Sequence, residues 1–215
     1  MFLRFLFVLL PLFTATTTAY NPYQYDAGVS QFTPDGRLLQ LEYAQKAADA
    51  SPLLVARVRD DTIVVVAPLT STLQRLTVWN DHTLLIWNGI VADAQSLYRH
   101  WIDASVEQRR LYGMKQPVVT AMPRPEPGIR PLGASWMMLT TNHEEGIRIW
   151  HTDPSGARVE WKDVPERTLK EAVAAMDEED GTKTLQVALV VRGKGVHLLS
   201  RDEIEAIRES KPQTT

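Results

Sequence analysis

No cysteine occurs among the 215 residues. That absence excludes a disulfide framework, a thiolate zinc site and a cysteine nucleophile together, and it is compatible with a reducing or an oxidising compartment. An excess of one charge is missing too: 23 Lys and Arg stand against 26 Asp and Glu, a formal net charge of -3, and the basic residues form no long run. Neither a nucleic-acid footprint nor a polybasic membrane patch fits that distribution, so nucleic acid is not an expected partner. The apolar run from Phe5 to Phe13 is about half of the roughly 20 residues a membrane-spanning helix needs, so no stable membrane anchor is expected. There is no internal repeat and no glycine-rich loop ahead of a helix to cradle phosphate. His82, His100, His143, His151 and His197 place no two imidazoles on one helical face, so neither a metal nor a cofactor is expected.

What is present begins with a leader. Arg4 stands near the start of the apolar run, and a Thr-rich stretch through Thr17 to Ala19 follows it. Residues 1–19 thus read as a signal peptide, with an N-terminal tail that targets nothing as the alternative. Residues 20–215 have the length of one ordinary domain. A composition of 44% hydrophobic and 23% charged residues is that of a globular chain with a core of its own.

The turn Thr33-Pro34-Asp35-Gly36 leads into Leu38, Leu41, Ala44, Ala47 and Ala48, whose three- and four-residue spacing predicts a short helix to Ala50. Leu53–Val58 and Thr62–Ala67 form a predicted hairpin, ended by Pro68. A second strand pair is predicted at Leu76–Trp79 and Thr83–Trp87. From Ile90 the period becomes helical and lasts to about Tyr112-Gly113, with Asp93, Gln95, Arg99 and Asp103 off the packed face. Five prolines between Pro117 and Pro131 rule out a regular helix there. Three strands follow at Ala134–Thr141, Ile147–Thr152 and Ala157–Lys162. A helix from about Pro165 to Met176, strands at Leu185–Val191 and Val196–Leu199, and a last helix opened by a Ser200/Glu203 capping box complete the chain. Hairpins and meanders interleaved with helices make an antiparallel α+β domain.

The run from Tyr25 to Ala48, YDAGVSQFTPDGRLLQLEYAQKAA, resembles the N-terminal signature of α-type subunits of the proteasome core particle. Asn88–Ala94, Arg130–Ser135 and Thr152–Gly156 agree with the same family in the same order. The resemblance implies a four-layer α/β/β/α sandwich of two antiparallel sheets. It also implies a seven-membered ring that caps the proteolytic β-rings, gates substrate access and docks regulatory particles in ubiquitin-dependent protein catabolism. Other α and β subunits and the C-terminal tails of regulatory particles are the implied partners, and cytoplasm and nucleus the implied location, against which the leader suggests a secretory or organellar one.

By the same resemblance Tyr25, Asp26, Pro34 and Tyr43 match a gate-stabilising cluster, with Asp35, Gly36 and Arg37 as further ring contacts. Packing of turn against helix within one subunit is the alternative role. Arg75 stands where the family has the lysine of the activator-tail pocket, and Ser51 where it has a glycine. An arginine fork still binds a carboxylate but is not equivalent to a compact ammonium, and a solvated surface arginine is the alternative.

The relatives of this fold that cleave peptides use a freed N-terminal threonine tuned by an aspartate and a lysine. Here about 30 residues precede the first strand even if the leader is cut, Thr16–Thr18 resemble a processing site only in composition, and Pro68 stands where the aspartate belongs. A non-catalytic subunit is therefore expected, and a threonine hydrolase is the weakest reading. Against the family pattern the chain is shorter at Pro68–Leu73, Pro117–Pro131 and Trp161–Leu169. The last two shortenings remove outer helices, and a bared sheet face must be covered by something else. A diverged, secreted or organellar binding module that does not assemble is thus the second reading.

Overall fold

Strict alternation in the strands decides the architecture. In β2 (Thr62–Pro68) Ile63, Val65 and Ala67 point into one apolar cluster while Val64 and Val66 point into another, which is the period-2 pattern of a strand buried on both faces. The same holds for β4 (Thr83–Gly89): Leu84 and Ile86 face one way, Leu85 and Trp87 the other. Two sheets with two covered faces each require four layers.

The computed structural model describes residues 23–59, 61–69, 74–113, 130–180 and 184–210. The leader 1–19, Thr16–Thr18 and the proline-rich stretch up to residue 129 lie outside them. One sheet has the order β1-β2-β8-β9, with β1 Leu54–Arg59, β8 Leu185–Val191 and β9 Gly195–Leu198. The other has the order β3-β4-β5-β6-β7, with β3 Leu76–Asn80, β5 Ala134–Asn142, β6 Gly146–Thr152 and β7 Arg158–Trp161. All pairings are antiparallel. Between the sheets lies the main core, where Val55, Ile63, Val65 and Val190 meet Leu84, Ile86, Met137 and Leu139. Pro68 closes β2 opposite Leu185 without breaking the sheet. The amide of Leu69 donates to the Thr184 carbonyl of the β8 side, so the missing N–H of Pro68 falls on the other edge, beyond the end of β1.

Helices α4 (Leu169–Asp180) and α5 (Arg201–Glu209) cover the outer face of the four-stranded sheet, and α3 (Val91–Tyr112) covers that of the five-stranded one. The expected four-layer α/β/β/α sandwich is therefore the observed fold. Helix α2 (Leu39–Asp49) lies across one end, against β4 and β5. A one-turn helix, α1 (Tyr23–Asp26), packs beside α2 and has no counterpart in the sequence reading.

Two expectations are corrected. Helix α4 begins at Leu169 and not near Pro165, because residues 165–167 run beside β1: Arg57 N donates to Pro165 O at 2.8 Å and Arg167 N to Arg57 O at 2.9 Å. The helix is started by Thr168 and Glu171, each side chain accepting from the other's backbone amide, at 2.8 and 3.2 Å. Asp93, read as lying off the packed face of α3, is buried at 6% exposure. It accepts from both terminal nitrogens of Arg130 at 2.8 Å and from Gly133 N at 2.8 Å.

The layer between α3 and the five-stranded sheet is rich in tryptophan. Of the six tryptophans, Trp79, Trp87, Trp101, Trp136 and Trp150 belong to the layer between α3 and the five-stranded sheet. Large rings bury much area in that layer.

Candidate functional site

The signature stretch is a self-supporting turn and helix. Thr33 is 4% exposed and organises the turn: its carbonyl accepts from Gly36 N at 2.8 Å, its hydroxyl from Arg37 N at 3.0 Å, and its own amide donates to Arg37 O at 2.9 Å. Pro34 fits the second turn position because its φ is fixed, and Gly36 adopts φ +78, open to glycine at no steric cost. Leu38 at the N-cap offers no side-chain cap. The first turn of α2 is instead steadied by the Arg37 guanidinium, which grips both oxygens of Glu42 and holds that carboxyl below its ordinary range. Leu39, Ala44 and Ala48 face inward, while Tyr43 is 42% exposed and Phe32, on the turn, 63% exposed.

The Gln40 amide donates to the backbone carbonyl of Asp26, tying α1 to α2 and thereby bringing Tyr25 and Asp26 beside the helix that carries Tyr43. Tyr25 and Asp26 are half-buried, and Pro34, Asp35, Gly36 and Arg37 form an exposed tip. The Asp26 Oδ1 is buried and finds no hydrogen-bond partner among the described residues.

The four sequence blocks meet at this end of the sandwich. Gly89 sits at φ +97, and a Cβ on it would lie 2.3 Å from Gly133 O and 2.9 Å from the Cα of Ala48, so α2 rests directly on backbone there. A Cβ on Gly133 would meet Ile90 Cδ1 at 2.9 Å and Ala47 Cβ at 3.1 Å. Ile90 N donates to Gly133 O at 2.8 Å, joining the start of α3 to the chain 43 residues later. His151, at the end of β6, is pushed below its ordinary pKa by burial, with the carboxylates of Asp153 and Asp49 opposing that shift.

Arg75 and Ser51, 24 residues apart, are brought into contact. Arg75 is 9% exposed; its Nη2 donates to Ser51 Oγ at 3.1 Å and its Nη1 to Asn88 Oδ1 at 2.6 Å. Asn88 Nδ2 then donates to the Ser51 carbonyl at 2.7 Å. Gln186 Oε1 accepts from Arg75 N at 2.7 Å, tying this loop to β8 of the other sheet. Asn88, named from sequence only as the start of a matching block, and Gln186, not named at all, complete the cluster. The available signal for Gln186 was an amide near the start of an otherwise apolar strand, LQVALVV. The contacts of Arg75 with Ser51, Asn88 and Gln186 hold the loop after α2 onto the ends of β3, β4 and β8.

Among the described residues no group of three or more His, Asp and Glu gathers to hold a metal, and no helix is long and apolar enough to cross a membrane.

Comparison with known proteins adds the following. Residues 25–47 match the family model for the N-terminal signature of A-type proteasome subunits. Residues 55–165, just over half of the chain, match the model described as proteasome subunit. The chain is 28% identical to the proteasome alpha subunit of Pyrococcus horikoshii, across 84% of this chain and 85% of that protein. It is 31% identical to the proteasome alpha subunit of Thermococcus kodakarensis, across 72% of this chain and 65% of that one. It is 26% identical to the proteasome alpha type-7 subunit of Dictyostelium discoideum, across 86% and 90%.

Proposed function

The chain belongs to the proteasome subunit family and is of the α type, and from that premise we propose that it is a non-catalytic ring subunit. In this reading it assembles with other α and β subunits, gates substrate access to the proteolytic chamber and docks activators in ubiquitin-dependent protein catabolism, in cytoplasm and nucleus. The observation that carries the proposal is the signature unit: a rigid turn and helix, secured by Thr33, the Arg37–Glu42 pair and Gln40, that presents Phe32 and Tyr43 to solvent. Exposed aromatic rings on a braced element are what a contact between neighbouring subunits uses, because they bury much area at little cost in entropy. Tyr25, Asp26, Pro34, Asp35, Gly36 and Arg37 form the rest of that contact. Arg75 and Ser51 line the pocket for activator tails. The lack of catalysis is supported by Pro68 ending β2, a residue that supplies no carboxylate.

Native mass spectrometry after affinity purification of the full chain from its source cells tests this. Co-purification with α and β subunits is the expected result, and recovery of the chain by itself would overturn it. The second reading, a diverged secreted or organellar binding module, is favoured by one observation. The Arg75 fork is already engaged by Ser51 and Asn88 and is 9% exposed, a poor state for receiving a carboxylate from outside.

A further inference from the structure

Among the described residues, the outer face of the four-stranded sheet is left half-covered at one end. Pairing of Val64 with Leu189 and of Thr62 with Val191 sets successive rows across β2 and β8. Val64 is fully buried under the helices, whereas Leu189, Val191 and, on β1, Val58 are half-buried. Two helix ends meet above these rows. Helix α4 starts at Leu169, α5 stops at Glu209, and the Lys170 ammonium donates to the Ser210 carbonyl between them. The result is an open cleft of about 720 Å³, floored by Val58, Leu189 and Val191 and walled by Leu169 and Ile207. That volume is within the range of small-molecule sites.

Charge is arranged unevenly around the cleft. Arg59, at the bulged end of β1, and Lys194, in the turn between β8 and β9, stand on its rim. Both are exposed, and neither forms an ion pair among the described residues. The neighbouring carboxylates are engaged within the chain: Asp61 Oδ1 accepts from Thr62 Oγ1 at 3.0 Å, and Glu171 Oε2 from Thr168 N at 2.8 Å. The rim therefore offers a guanidinium and an ammonium to an anion. The backbone of the floor is already used, because β2 is paired on both sides, by β1 and by β8. At the wall, Ile207 O accepts from Ser210 Oγ at 2.7 Å. A peptide laid in the cleft would find few partners for its amides, and each one left unpaired costs free energy. An aliphatic chain needs none.

We propose that this cleft binds a medium-chain aliphatic carboxylate, its chain laid on Val58, Leu189 and Ile207 and its head group held between Arg59 and Lys194. Apolar burial supplies most of the affinity, since exposed ion pairs contribute little, and the two cations select the sign of the head group. The site is independent of the ring reading, because every residue that lines it belongs to this chain.

Calorimetric titration of the full chain with octanoate, decanoate and dodecanoate, each below its micelle concentration, tests this. Affinity is expected to rise about tenfold for every two added methylenes, and acetate to show no binding. Dodecyltrimethylammonium, with the same chain and the opposite charge, is expected to bind at least about tenfold more weakly than dodecanoate. Arg59→Gln combined with Lys194→Gln should lower dodecanoate affinity about fivefold and leave the unfolding midpoint unchanged, both side chains being exposed. Methyl NMR of the unmodified sequence locates the ligand, with shifts expected at Val58, Leu189 and Ile207. No binding at any chain length, equal affinity for the two head-group charges, or shifts confined to the exposed Val106 and Leu111 of α3 would each overturn the proposal. So would tighter binding of an acetylated Asp/Leu octapeptide than of dodecanoate.

Discussion

Over the four-stranded sheet, α4 and α5 set Ala172, Val173, Met176 and Ile204 against the small side chains Ala56, Val64, Val66 and Val187. Over the five-stranded sheet, α3 meets Trp87, Trp136 and Met138 with Trp101, and Trp101 meets Trp79 edge-on at 4.3 Å. The first layer is aliphatic and roofed by two helices that are also clipped together, Arg208 of α5 donating to both oxygens of Asp177 of α4 at 2.9 and 2.5 Å. The second is aromatic and, among the described residues, is roofed by α3. The helices differ in the same sense. Both α4 and α5 open with a capping box, Thr168/Glu171 and Ser200/Glu203. Helix α3 has no side-chain cap at Ile90 and is started by Gly133 and Arg130, which arrive about 40 residues later. One layer is assembled from local signals and the other by the return of the chain.

The largest expected effect sets the two layers against each other. Trp136→Ala removes the ring under Tyr98 and should cost about 3–5 kcal/mol, while Met176→Ala, fully buried in the aliphatic layer, should cost about 2–4 kcal/mol in urea denaturation. Should the methionine prove the costlier, the tryptophans are not what holds the layer under α3.

A smaller effect is expected from Arg130→Ala, which leaves the buried Asp93 carboxylate with Gly133 N but no guanidinium. Because Arg130 is itself half-exposed and screened, the loss should be about 2 kcal/mol. Its pH dependence has a definite sign. Arg130 holds the Asp93 carboxyl below its ordinary value, so the stabilisation is present above the unfolded carboxylate pKa, about 3.9, and fades as pH falls through the lower folded value. Stability measured from pH 6 down to pH 2 should therefore fall less steeply in Arg130→Ala than in the parent chain. Parallel curves would remove the return of the chain as the starter of α3.

The smallest effect sharpens the contrast between the helices. Ser200→Ala and Thr168→Ala should each cost about 1 kcal/mol, the usual loss of an N-cap, whereas Ile90→Ala should show no capping loss at all. Helicity and unfolding midpoints of the three variants, recorded side by side, check this.

The strand pattern of the sandwich was legible because burial on both faces leaves period-2 runs such as TIVVVAP, and turn residues bracket them. The Ser200 box was legible for the same local reason, and the equivalent Thr168 box was masked by Pro165, which suits a first helical turn equally well until β1 is seen to claim residues 165–167. Asp93 misled because a carboxylate at that helical position is ordinarily solvated, and only a partner 37 residues away makes its burial tolerable. In the candidate site, Arg75 and Ser51 were named from the resemblance; that Asn88 and Gln186 bind them was not legible, since nothing in a linear sequence says that β4 and β8 end at the same place.

By itself, then, the sequence determined the strand and helix periods, the α-type signature turn with its Pro34 and Gly36, and the exclusion of cysteine chemistry. Those are properties of neighbouring residues, governed by backbone sterics and side-chain type. Tertiary structure alone decided that four separated blocks meet at one end, that Arg75 is spent on Ser51 and Asn88, and that five tryptophans gather under one helix. The physical reason is that burial and hydrogen-bond partnership are set by contacts between residues far apart in the chain, which no local pattern encodes.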